Sequence, residues 1–111
     1  MDEVRRDDGE LCGFVVAVAN GWESRTVFGA VLRVHETRQE AVEYLVHHGL
    51  AVLAEHWTYH SVPNGDGEIA CIVEASPTGV TIVVDYYPTP GAPRFTLTPE
   101  QVRAGRLRFS D

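Results

Sequence analysis

Residues 68–75 and 80–87 are two β-forming runs separated by Ser76-Pro77-Thr78-Gly79. Apolar and branched residues bounded by a Pro-Gly-containing turn predict an antiparallel hairpin. Ile69, Cys71, Val73 and Ala75 share one face of the first arm, and on the second Ile82 and Val84 lie opposite Val83 and Asp85. Apolar side chains on both faces place such a hairpin centrally in a sheet. A chain organised around it is restricted to sheet-containing folds.

Two capping boxes add helices. Thr37-Arg38-Gln39-Glu40 places Thr37 at an N-cap and Glu40 three residues on, and Ala41, Val42, Leu45 and Val46 follow as an apolar stripe. His47-His48-Gly49 reads as the end of that helix. Thr98-Pro99-Glu100-Gln101 opens a second, short helix with Pro at its first position, which Gly105 closes before an edge strand at residues 107–109.

Ahead of the first helix, residues 11–20 and 27–35 read as a second hairpin. Asn20-Gly21 is its turn signal and residues 22–26 are a polar connection. Phe28, Ala30, Leu32 and Val34 form the wholly apolar face of the second arm. Residues 50–61 fit either a continued helix or a strand, and the β character of Trp57-Thr58-Tyr59 favours a helix ending near Gly49 and then a strand. Residues 63–67 have turn composition. The order of elements predicts an α+β domain over residues 11–111. Its antiparallel sheet has about five strands (two hairpins and a connecting strand), with one main helix on one face and a short C-terminal helix.

Residues 1–10 are expected to be a flexible acidic tail. The apolar run after it ends in Ala17-Val18-Ala19, but five acids outweigh Arg5 and Arg6 in the leader, which a signal peptide requires to be basic. A cytoplasmic location is therefore expected. No apolar run approaches the roughly 18 residues of a membrane span, so no membrane partner is expected.

All nine basic residues are Arg, a composition typical of a GC-rich, bacterial coding bias. Without Lys, Schiff-base catalysis and a phosphate-loop lysine are excluded. The net charge is −7, and residues 35–93 carry eight acids against Arg38 alone. That acidic body disfavours nucleic acid. From residue 94 onward the balance reverses: Arg94, Arg103, Arg106 and Arg108 face only Glu100 and Asp111, a stretch suited to an acidic partner or to the acidic body itself. Cys12 and Cys71 lack zinc spacing and read as small buried hydrophobes.

Candidate site residues are few. His56 and His60 share one face of either a helix or a strand, the minimum for a metal face, with Glu55, Glu68, Cys71 or Asp85 as further ligands. Two ligands do not make a site, and no metal or other cofactor is expected. Asp85 and Tyr86 at a strand end offer a general base and a phenol. His47 and His48 at a helix end have the chemistry of a pH sensor. Trp22 and Arg25 in the N-terminal hairpin, with Tyr59, are the residue types that dominate binding hot spots. Residues 88–93 carry a P-x-x-P pattern before Arg94, read as a stiff connector.

The expected function is a small acidic interaction module acting on a protein partner as regulator, inhibitor or accessory subunit, with a sheet edge available for homodimer pairing. The alternative is an enzymatic or small-molecule domain, metal-dependent or not, whose pocket gathers His56, Tyr59, His60, Asp85 and Tyr86. A concave pocket with converging polar groups favours the second reading, and a flat patch around Trp22 favours the first.

Overall fold

A computed structural model describes residues 2–62 and 65–109. The turn expected at Pro63 and Asn64, and Asp111 of the basic stretch, lie outside the described residues.

The fold is α+β with two antiparallel sheets rather than one. β1 (Asp2–Arg5), β2 (Leu11–Val18), β3 (Gly21–Arg25) and β4 (Val31–His35) form a four-stranded meander in sequence order. The helix α1 (Arg38–His48) packs across one face of it. A second sheet holds β5 (His56–His60), β6 (Gly67–Ser76), β7 (Gly79–Val83), β8 (Arg94–Leu97) and β9 (Leu107–Phe109), in the order β8-β7-β6-β5-β9.

The extra sheet arises from segments whose polarity hides their strand character. Residues 22–26, expected to be a connection, contain most of β3, and Trp22 therefore sits within a strand. The inward residue of that strand is Ser24, fully buried, whose hydroxyl donates to the Arg33 carbonyl at 3.3 Å and lies 2.9 Å from His35 Nε2. A buried serine with both contacts is stable there, since burial costs little once the hydroxyl is bonded. The expected tail likewise begins as β1, paired with β2 through Val4↔Gly13, and Val4 is buried under α1.

Residues 27–35 form a turn and a shorter strand. The Gly29 amide donates to the Thr26 carbonyl, and the Ala30 amide to the Thr26 hydroxyl. Phe28 and Ala30 are buried as expected, but the alternation breaks at the turn, and Val34 is 42% exposed.

Two cores result. Val4, Cys12, Val15, Ala41 and Leu45 close the space between α1 and the first sheet. Of the predicted stripe on α1, Ala41 and Leu45 are buried and Val46 is exposed. Thr37 caps the helix by accepting from the Glu40 amide. Gly49 ends it in right-handed geometry, and its lack of a side chain serves close approach: a Cβ there would stand 2.5 Å from the Cys12 carbonyl oxygen.

The second core is built on the inner face of the second sheet, from Trp57, Tyr59, Ala70, Val80, Ile82, Leu97 and Leu107. The turn between β3 and β4 supplies Phe28, whose ring lies 5.5 Å from that of Trp57. Leu32 and Leu50 touch both cores and join the layers. A single 3-10 turn, Ala51–Ala54, connects α1 to β5, and the Trp57 indole donates to its Val52 carbonyl at 3.0 Å. After β8, Thr98 caps the one-turn helix α2 (Pro99–Gln101), which widens through residues 102–106 and ends at Gly105. Every buried side-chain polar atom among the described residues has a partner. No helix among them is long and apolar enough to cross a membrane.

Candidate functional site

Strand geometry decides the fate of the histidine pair. His56 and His60 do lie on one face of β5, opposite Trp57 and Tyr59. At ~3.3 Å per residue, however, positions i and i+4 of a strand stand about 13 Å apart, far beyond a shared metal ion, whereas on a helix they would be neighbours. Each imidazole instead ties down a loop. His56 Nε2 donates to the Tyr86 carbonyl at 2.8 Å and its ring packs tilted against that of Tyr86, centroids 4.2 Å apart. His60 Nδ1 bonds the Gly65 carbonyl at 2.9 Å.

The remaining members of the expected pocket separate. Tyr59 faces the core, 4% exposed, where its hydroxyl accepts from Arg106 at 2.9 Å and its ring stacks on Phe95. Asp85 joins the His56 end, but its carboxylate is bound within its own loop by the Thr89 hydroxyl (2.8 Å) and the Tyr86 amide (2.7 Å). These bonds, the Thr89 hydroxyl first, hold its pKa below the usual carboxylate value, which suits a structural anchor better than a base. Cys71 donates to the Tyr86 and Asp85 carbonyls, and burial pushes its thiol pKa up, away from thiolate chemistry. Glu68 pairs across from Tyr59 on the opposite face of the sheet from the histidines, and Glu55 is exposed. Among the described residues no three His, Cys, Asp or Glu side chains gather as a metal site.

Trp22 is half-buried and packs against the helix-side core. The His48 ring packs tilted against Tyr44 at 5.0 Å, and Tyr44 tilted against His35 at 5.2 Å, while the Arg33 guanidinium lies over the Tyr44 ring. His47 is exposed beside them.

One pairing that the sequence did not point to is Ser24 with His35. It has the 2.9 Å separation of a nucleophile and base, with the Arg33 carbonyl 3.3 Å from the same hydroxyl. Ser24 is fully buried, out of reach of any substrate.

A different surface collects the polar groups. Between the edge strands β4 and β9 runs a groove of about 580 Å³, within the range of ligand sites. Ala30, Leu32, Val102 and Leu107 form its apolar floor, Val31 and Phe109 flank it, and Arg25, Arg103 and Arg108 line it. The Arg25 guanidinium is held by Glu23 through Nη2 (2.7 Å) and Nε (3.0 Å). Arg103 Nη1 lies across Gly29, 3.4 Å from where a side chain would begin, and Arg108 Nη2 lies across Gly105 at 3.0 Å. Gly105 has φ +95°, a conformation glycine adopts without strain and which turns the chain into β9. Arg25 was a candidate from sequence; Arg103 and Arg108 were visible only as part of the basic C-terminal stretch. Comparison of the chain with protein-family models, with curated proteins and with solved structures finds no match.

Proposed function

We propose that this chain is an interaction module that binds a protein partner through the groove between β4 and β9, taking an anionic group of that partner against the arginines. The observation that carries the reading is the lining itself. Three of the nine arginines of a chain with net charge −7 line one concavity with an apolar floor, and among the described residues its lining contains no Asp, Glu, His, Cys or Ser. Such a site can hold and orient a ligand but supplies no acid, base or nucleophile. The arrangement of an apolar centre ringed by arginine is that of binding hot spots.

An enzymatic reading built on His56, His60, Asp85 and Tyr86 has less support, because none of them lines the groove and each is bonded to a loop. A cytoplasmic setting fits two cysteines that are free and lie in different sheets.

The test is a chemical-shift titration of the isotope-labelled chain with a short peptide of glutamate and phenylalanine. Shifts should concentrate at residues 29–32 and 102–109. Shifts centred on Trp22 or on residues 84–87, or none at saturating peptide, would overturn the assignment of the groove.

A further inference from the structure

We infer that the group recognised by the groove is a phosphoryl dianion carried on an extended segment of the partner, that is, a phosphorylated peptide; this rests on the groove being the recognition surface. Three observations lead there.

The first is charge. Arg103 and Arg108 have no acidic partner among the described residues, whereas Arg25 is paired with Glu23. Among the described residues the groove therefore presents two guanidiniums with no acidic partner. A carboxylate neutralises one of them. A phosphomonoester carries about −1.5 to −2 charges at neutral pH and three acceptor oxygens, enough to engage both planar forks. Arginine matches phosphate oxygens bidentately, which a lysine point charge does not.

The second is the surroundings. The eight acids at residues 35–93 and the net charge of −7 disfavour an extended polyanion such as a nucleic-acid backbone on this chain. One compact dianion is not extended in that way.

The third is backbone. β4 and β9 are each the terminal strand of their sheet, so both walls of the groove are sheet edges. A sheet edge offers main-chain hydrogen bonds to an extended peptide, while Leu32, Val102 and Phe109 offer apolar contact to the residues beside the phosphate. A free phosphorylated metabolite makes no use of those edges.

The experiment immobilises the full chain and measures capture of three degenerate short-peptide pools that differ at one fixed central position: phosphoserine, serine or glutamate. Phenyl phosphate serves as competitor. We expect the phosphoserine pool to be retained at least about tenfold more strongly than either other pool, and each of Arg103→Gln and Arg108→Gln to weaken that retention about fivefold or more. Arg108→Lys should restore only part of it. Circular dichroism confirms that the variants fold. Equal retention of phosphoserine and glutamate pools, lost on Arg103→Gln, would overturn the phosphoryl inference while leaving the groove as an anionic-peptide site. Displacement of the phosphoserine pool by phenyl phosphate at equal concentration would assign the site to a small phosphate ester and overturn the peptide. Retention of no pool, or retention unchanged by both arginine variants, would overturn this inference and the groove reading together.

Discussion

The Nε2 atom of His56 lies 2.8 Å from the carbonyl oxygen of Tyr86, 30 residues further along the chain, with the two ring centroids 4.2 Å apart. A carbonyl can only accept, so Nε2 carries the proton and the imidazole is engaged as a tether. It pins the loop between β7 and β8 to the outer face of the second sheet.

We expect His56→Ala to loosen that loop and leave the fold intact, lowering stability by about 1 kcal/mol, the usual net worth of one such bond. Hydrogen exchange at the Tyr86 and Thr89 amides should accelerate while the Trp57 amide stays protected. A loss of 3 kcal/mol or more in denaturant unfolding would show that His56 is part of the core.

The two-core architecture separates Leu45 from Trp57. Both are 0% exposed, but Leu45 closes the helix-side core and Trp57 the second sheet. Leu45→Ala should cost about 2–5 kcal/mol and Trp57→Ala about 3–5 kcal/mol. Native-state hydrogen exchange should show the first variant deprotecting β2 and α1 more than β6 and β7, and the second the reverse. Uniform deprotection by both would mean a single cooperative core.

His35 gives a pH dependence with a definite sign. Burial lowers its pKa below the ordinary value, and the positive charge of Arg33 adds to this while Glu40 opposes it. The unfolded chain therefore takes up a proton at higher pH than the folded chain does. Stability from this group is fully present above the ordinary imidazole pKa of about 6.5 and is lost as pH falls from there toward the folded value. Thermal unfolding between about pH 7.5 and 5 should show this slope, and His35→Gln should flatten it. An unchanged slope in the variant would place the titration elsewhere.

Gly105→Ala tests the wall of the groove. The residue has φ +95°, which costs a non-glycine residue about 1–2 kcal/mol, and the added methyl would meet the flexible end of Arg108 at 3.0 Å. We expect a loss of that size in chemical denaturation, together with displacement of the Arg108 guanidinium seen in its Nε resonance. A neutral substitution would mean that the turn at 105 relaxes freely.

Local signals in the sequence were legible. The Thr37 and Thr98 caps, the β6–β7 hairpin and the strand at His56–His60 follow from spacing and turn chemistry. The division into two sheets did not, because β1 and β3 bury single residues, Val4 and Ser24, among charged neighbours, and neither shows an apolar alternation. The candidate site failed for a metric reason: a shared face is common to helix and strand, but separation along it is not, so His56 and His60 share a face without sharing a ligand. The groove was beyond reading because it depends on β9 standing opposite β4, some seventy residues earlier. Only the local excess of arginine after residue 94 hinted at it.

The most direct measurement compares two double variants with the parent chain in one peptide-binding assay at fixed ionic strength: Arg103→Gln with Arg108→Gln, and His56→Ala with Asp85→Asn. We expect the arginine pair to weaken binding by about tenfold or more and the His56/Asp85 pair to leave it unchanged. Loss of binding in the His56/Asp85 variant with the arginine variant intact would contradict the groove as the recognition surface and move it to the outer face of the second sheet.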